Sequence, residues 1–109
     1  MIRTMRNLTM KARNAYGLLK TFGFTYTCPF CHWHARYFYP AGFDLPVLKE
    51  YGVISAGRRE NIRCPRCKSS ARERLIFLFL SRKSGVFSDP ADVLHIAPEA
   101  SLRRRFSKR

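Results

Sequence analysis

Two stretches, Cys28-Pro29-Phe30-Cys31 and Cys64-Pro65-Arg66-Cys67, decide how this chain folds. Each is a Cys-Pro-x-Cys clip, 32 residues separate the two clips, and the chain has no fifth cysteine. A two-residue gap lets both sulfurs of a clip reach one ion across a tight turn, which proline favours. Two clips supply four thiolates, the tetrahedral set of a structural zinc site. The predicted ligands of zinc, or more rarely of iron, are Cys28, Cys31, Cys64 and Cys67.

Other interpretations of the clips are weaker. Two disulfides are disfavoured because no secretory signal is visible and pairing within a clip is strained. A thiol oxidoreductase built on Cys28 and Cys31 would need a helix after the first clip to lower a thiol pKa. Residues 32–39 are aromatic and predict a strand instead. His32 and His34 are expected to be surface or strand residues rather than ligands.

The composition indicates a small, basic protein that depends on a metal. With 109 residues, of which 46% are hydrophobic, only a modest core is possible, and such chains commonly rely on a metal. Lys and Arg total 21 against seven Asp and Glu, which gives a net charge of +14. This charge predicts an anionic partner, namely a phosphorylated glycan, nucleic acid or a membrane surface.

No transmembrane segment is expected, because no stretch of about 18 consecutive apolar residues is present. Reduced cysteines suit the cytoplasm, so we expect a cytoplasmic protein, with peripheral membrane attachment as an alternative. Residues 1–23 are basic, contain no acid and show apolar residues at helical spacing. We predict an amphipathic helix packed on the rest of the protein. A helix lying on an anionic membrane and an organelle presequence are the alternatives.

Local signals predict the elements around the clips. Residues 24–27 and 34–39 form a hairpin with the first clip at its tip, and residues 47–51 form a short helix. Ser70 and Glu73 make a capping-box pattern at the start of a helix that ends before Gly85. Val93–Ala97 is predicted to be a strand, and residues 100–106 the start of a helix.

These residues together resemble a known enzyme family. The two clips, Arg63–Ser70 with the nearby Arg72 and Arg74, and the stretch Val93–Glu99 are similar to bacterial class I S-adenosylmethionine-dependent methyltransferases with an N-terminal zinc ribbon. The resemblance spans residue 28 to about residue 102. It implies that the four cysteines bind zinc and that the enzyme modifies glycans or cell-surface polysaccharides. It also implies a first S-adenosylmethionine loop formed by His95, Ala97, Pro98 and Glu99.

We therefore predict a small α+β protein. Residues 1–23 form the basic amphipathic helix, 24–68 a zinc ribbon with three short strands, and 69–88 a linking helix. Residues 89–109 form the first βα unit of an incomplete Rossmann-like methyltransferase sheet. Only ten residues follow Glu99, so the acidic residue that holds the cofactor ribose, about 20 residues further on, has no place.

The expected function is that of a zinc-binding N-terminal fragment of such a methyltransferase. S-adenosylmethionine would bind only in the full-length enzyme, and the missing methyltransferase portion is an expected partner. No catalytic residue is predicted in this chain. The alternative is a stand-alone basic zinc ribbon that binds nucleic acid through phosphate contacts and stacking on exposed aromatics such as Trp33 and Tyr37.

Overall fold

The computed structural model describes residues 2–108, with side chains from residue 7 onward. In this part of the chain, four helices and two small antiparallel sheets make a small α+β protein. The elements in chain order are α1 (Ile2–Thr21), β1 (Phe22–Thr27), β2 (His34–Ala35), β3 (Tyr39–Ala41), α2 (Pro46–Glu50), β4 (Arg59–Arg63), α3 (Ala71–Lys83) and α4 (Ala100–Phe106).

The two clips lie at the ends of strands. Strands β1 and β2 pair antiparallel, with Thr27 opposite His34, so the first clip forms the tip of a hairpin as predicted. Strands β3 and β4 make the second sheet, and the second clip follows β4. The zinc-ribbon region, predicted to have three short strands, has four, and the chain after the second clip enters the predicted helix as α3. Two separate two-stranded sheets result.

The hydrophobic core is small and is centred on the cysteines. Cys28, Ala35 and Cys64 have no solvent exposure, and Phe38 packs with them at 5% exposure. The radius of gyration is 17.0 Å, whereas a compact chain of this length has a value of about 13 Å. A core of this size leaves much of the folding free energy to be supplied by other interactions, and a metal is the obvious source.

A row of aromatic rings joins the first clip to the C-terminal segment. Phe30 in the first clip stacks on Phe77 of α3, with ring centroids 4.6 Å apart. Phe77 contacts Phe87 at 5.4 Å, and Phe87 stacks on Phe106 of α4 at 5.2 Å. Such ring pairs add to the stabilisation from burial. This aromatic row holds α3 and α4 against the clip region.

In the part of helix α1 whose side chains are described, the contacts with the rest of the protein lie near its C-terminal end. Thr21 is fully buried, and its carbonyl accepts a hydrogen bond of 2.8 Å from the backbone N–H of Arg36. Leu8, Tyr16 and Leu19 are each more than 60% exposed. The helix is therefore present as predicted, but most of its side chains from residue 7 onward are exposed to solvent instead of packed on the protein. Within residues 2–108, no helix has both the length and the apolar character needed to cross a bilayer.

Helix α3 begins with the predicted capping box. Ser70 accepts a hydrogen bond from the backbone N–H of Glu73, and the Glu73 carboxylate accepts one from the backbone N–H of Ser70. Each side chain thereby satisfies a donor that the helix itself leaves unpaired. Leu75 and Phe79, on the far side of the helix, are 69% and 62% exposed. The apolar run of α3 is thus covered on one side only.

Replacing Ser70 with alanine is expected to lower the free energy of unfolding of the zinc-loaded protein by about 1 kcal/mol. The reason is loss of the hydroxyl that caps the backbone N–H of Glu73. Denaturant unfolding at constant zinc would measure the change. Ser81→Ala on the same helix is the control, because the Ser81 hydroxyl only bonds back to the Phe77 carbonyl and its loss should change stability little. Equal effects of the two substitutions would contradict the capping role.

The predicted strand Val93–Ala97 is absent from the described structure. The segment is extended chain without a ladder, because none of the strands in residues 2–108 lies beside it to complete the hydrogen bonds. Leu94 and Ile96 are 89% and 81% exposed. The helix predicted after this segment is present as α4, but no strand precedes it.

Candidate metal centre

The two clips have the same backbone hydrogen bonds. In the first clip, the N–H of His32 donates to the Cys28 carbonyl at 2.8 Å. In the second, the N–H of Lys68 donates to the Cys64 carbonyl at 3.0 Å. In both clips, the N–H of the first cysteine donates to the carbonyl five residues later, also at 3.0 Å. Equal sequence spacing has therefore produced two equivalent turns.

The residue after each clip adopts a backbone conformation that usually favours glycine. His32 has φ of 55° and Lys68 has φ of 63°, as the clip geometry predicts. For a non-glycine residue this conformation costs about 1–3 kcal/mol. The compensating gain is that the turns direct all four sulfurs inward to one point.

The four sulfur atoms form one cluster in which every pair lies within 4.8 Å. The Sγ atoms of Cys28 and Cys67 are 3.6 Å apart, and those of Cys31 and Cys64 are 3.7 Å apart. A tetrahedral site with Zn–S bonds of about 2.3 Å requires sulfur separations of about 3.8 Å. All four cysteines are free, and these distances are far above the length of a disulfide bond, about 2.05 Å. The cluster is thus of the right size to hold a metal ion such as zinc.

Ser69 is a member of the site that the sequence did not reveal. It is fully buried, and its hydroxyl oxygen lies 3.1 Å from Cys67 Sγ and 3.6 Å from Cys28 Sγ. A hydroxyl here can donate to a thiolate that carries negative charge in the metal-bound site. From the sequence, Ser69 is simply one of two serines before a helix. Its position two residues after the last cysteine was the only available signal.

The shared environment separates the pKa values of the thiols. Hydrogen bonds from Cys64 and Cys67 hold the pKa of Cys28 well below its usual range. Burial raises the pKa of Cys31 to about 11. The pKa of Cys64 is also raised, because it donates to Cys28 and Cys67 and is buried. Without a metal, the Cys28 thiolate is stabilised while Cys31 and Cys64 resist ionisation. A divalent cation bound by the sulfurs would displace the remaining protons.

Other side chains near the clips do not join the cluster. Among the described residues, the group that could hold a metal contains only cysteines. His34 lies in β2 with its Nδ1 3.0 Å from Thr27 Oγ1, and His32 is exposed. The first clip is followed by β2, not by the helix that a thiol oxidoreductase would need to activate Cys28.

The predicted cofactor residues are only partly brought together. His95 Nε2 lies 3.0 Å from the Glu99 carboxylate, while Ala97 and Pro98 are exposed. The backbone N–H of Glu99 and then the His95 ring lower the pKa of Glu99, so this carboxylate is ionised at neutral pH. Ala97 has φ of 49°, the conformation that a glycine-rich loop would provide here. His95 Nδ1 is buried and has no partner among the described residues.

The two aromatic residues that were predicted to be exposed, Trp33 and Tyr37, are not fully exposed in the structure. Trp33 is half-buried, packs against the cysteine core and meets Phe22 edge to face at 5.7 Å. Its indole N–H is buried without a partner in the described part of the chain. Tyr37 is also half-buried. Packing against the small core reduces the exposure of Trp33.

Comparison with known proteins finds no relative of this chain. No protein-family model, no curated protein and no solved structure matches it. The resemblance to methyltransferases therefore stays a prediction from the motifs. The structure itself shows a small α+β protein in which four cysteines are placed to bind a metal ion.

Proposed function

We propose that the four cysteines hold a structural zinc ion, and that this chain is the zinc-binding N-terminal part of an S-adenosylmethionine-dependent methyltransferase. The observation that carries the zinc assignment is the pair of sulfur distances, 3.6 and 3.7 Å, close to the edge of a zinc–thiolate tetrahedron. Four sulfurs fill the coordination sphere and leave no open position for a substrate or water. The metal would therefore organise the fold and take no part in a reaction.

The methyltransferase assignment is supported by the exposure and the backbone conformation of residues 93–99. Leu94 and Ile96 are apolar and exposed, and the backbone around them has no strand partner among the described residues. Such a segment suits a first strand that other strands would cover. The turn at Ala97, with its positive φ, lies where the resemblance expects the cofactor loop. The motif order in the chain is the second support.

The acceptor that we propose is a glycan or cell-surface polysaccharide, which the resemblance implies. His95, Ala97, Pro98 and Glu99 would contribute the first part of the S-adenosylmethionine site. No catalytic residue is predicted in this chain. We therefore propose that methyl transfer requires further βα units and that residues 1–109 alone are catalytically incomplete.

Native mass spectrometry of the purified chain is expected to show one zinc ion per chain, which a strong chelator removes together with the folded structure. Calorimetry of the zinc-loaded chain with S-adenosylmethionine is expected to show no binding, because the proposal gives residues 95–99 only the first part of the cofactor site. Folding that survives complete metal removal would contradict the structural zinc site. Micromolar binding of S-adenosylmethionine would contradict catalytic incompleteness while leaving the zinc site intact.

A basic zinc ribbon that binds nucleic acid is the second candidate, because the described Lys and Arg side chains far outnumber the ion pairs found among them. Among the described residues, only Lys49, Arg58 and Arg72 of the Lys and Arg side chains form ion pairs with carboxylates. Nucleic-acid binding of this kind weakens steeply as salt rises. Failure of the zinc-loaded chain to retard single-stranded RNA in a gel at low salt would eliminate this candidate.

A further inference from the structure

A cleft of about 580 Å³ lies between the second clip and helix α4. We name it the basic cleft, and its lining residues are Arg66, Lys68, Arg104, Arg105 and Lys108 together with Phe30, Cys31, Cys67 and Ser101. We propose that the basic cleft binds the phosphoryl group of a phosphorylated ligand. The inference rests on the proposed zinc site, because two of the cysteines form one wall, and it does not depend on the methyltransferase resemblance.

The charges in the basic cleft are of one sign. Five of its nine lining residues are Lys or Arg and none is Asp or Glu. Zinc held by four thiolates carries a net charge of about −2, so about three positive charges would remain uncompensated. A concave surface lined by like charges concentrates counter-ions, and a phosphoryl dianion relieves the mutual repulsion of the cations.

The cations are positioned by neutral partners, which leave their charge available. Arg66 donates to the Cys31 carbonyl at 3.4 Å and lies over the Trp33 ring at 5.7 Å. Lys68 donates to the Pro65 carbonyl at 2.7 Å. None of the five cleft cations pairs with a carboxylate in the described part of the chain. Carbonyl and ring contacts orient these groups without neutralising them.

Helix α4 contributes the other side of the cleft. Ser101, Arg104 and Arg105 follow the spacing of one face of α4, and Lys108 lies two residues beyond the end of the helix and also lines the cleft. Arg105 also lies over the Phe77 ring at 5.3 Å, which ties this face to the aromatic row. Arg104 and Lys108 are exposed and have no ion-pair partner among the described residues. Arginine side chains in such an arrangement suit the oxygens of a phosphoryl group.

The lining favours a compact phosphate ester over single-stranded nucleic acid. Base recognition in a single strand needs aromatic faces on which bases stack. Phe30, the only aromatic residue of the lining, is half-buried and already stacked on Phe77 at 4.6 Å. Charge is thus the dominant feature that the cleft offers. A sugar phosphate or a pyrophosphate group matches that chemistry.

The test uses the zinc-loaded full chain in a phosphate-free buffer, with pyrophosphate as the probe. Calorimetry gives the affinity, and fluorescence of Trp33, the single tryptophan, reports the cleft through its contact with Arg66. The double variant Arg104→Gln/Lys108→Gln is expected to bind pyrophosphate at least about tenfold more weakly. The control Lys11→Gln/Arg13→Gln removes the same charge from exposed positions of α1 that do not line the cleft. It should change the affinity by no more than about twofold.

Zinc content measured by native mass spectrometry separates the two proposals. If the wild-type chain lacks zinc, the proposed zinc site fails, whereas zinc-loaded protein that does not bind pyrophosphate overturns the cleft proposal alone. Equal weakening by both double variants would also overturn it, since binding would then follow total charge. If a ten-nucleotide single strand binds the wild-type chain more tightly than pyrophosphate does, and the Arg104→Gln/Lys108→Gln variant no longer binds it, the cleft is a nucleic-acid surface instead. Tighter binding of a hexose 1-phosphate than of inorganic phosphate would support the proposal and identify an ester as the ligand.

Discussion

Replacing Cys64 with serine is expected to unfold the region from β1 to α3, and not to abolish a reaction in a folded protein. Binding of structural zinc by four thiolates is worth about 10–16 kcal/mol, as much as the whole stability of a typical domain, about 5–15 kcal/mol. The cysteine core holds only a few buried side chains, so little else can replace that contribution. Cys28→Ser should have the same effect. Zinc content and the dispersion of the amide NMR spectrum would measure the loss.

His32→Asn is the matched control for the cysteine variants. His32 follows the first clip directly and is a conceivable ligand, but it is exposed and lies outside the sulfur cluster. Asparagine tolerates the positive φ of this position better than most residues. The control should therefore retain one zinc ion and the folded spectrum. A folded Cys64→Ser protein, or loss of zinc from the His32 variant, would contradict the closed four-cysteine site.

Replacing Arg74 with alanine is expected to lower the free energy of unfolding by about 2–4 kcal/mol. Arg74 is 9% exposed and donates to the carbonyls of Ser69, at 2.6 Å, and Ile62, at 3.0 Å. Its guanidinium also lies over the Phe38 ring at 4.6 Å. Truncation would remove the hydrogen bond to the Ile62 carbonyl and one of the two that the Ser69 carbonyl accepts, the other coming from the Cys64 backbone N–H, and would loosen α3 from the second clip. Denaturant unfolding of zinc-loaded protein would measure the change.

Arg72→Ala, two residues earlier on the same helix, is the control for Arg74→Ala. Arg72 makes one ion pair with Glu99 at 3.4 Å, and its side chain is 79% exposed. Pairs of that kind contribute about 0–1 kcal/mol. Arg74→Lys should fall between the two, because an ammonium group cannot reach both carbonyls in the planar geometry of arginine. Equal losses at positions 72 and 74 would show that Arg74 does not bridge the clip and the helix.

The features that could be predicted from the sequence depend on local spacing. The two-residue gaps of the clips, the hairpin around the first clip, the capping box of α3 and the helices α2 and α4 are all present in the structure. Each is specified by residues within a few positions of one another. The strand expected at Val93–Ala97 is the exception, because a strand also needs a neighbour that the described residues do not provide.

The contacts that complete the site join residues far apart in the chain. Phe30 and Phe77 meet across 46 intervening residues, and Ser69 reaches Cys28 across 40. No periodicity or short motif marks such pairs. The half-buried position of Trp33 was missed for the same reason, since burial depends on what the rest of the chain places nearby.

The sequence by itself determined that four cysteines in two equivalent turns would be available for one metal ion, because each turn needs only the four residues of its clip and the two that follow. Tertiary structure alone decided that the sulfurs lie within 4.8 Å of one another, that Ser69 and Arg74 support them, and that α4 closes a basic cleft beside them. Distances of that kind follow from packing across the whole chain. Short sequence motifs therefore do not predict these distances.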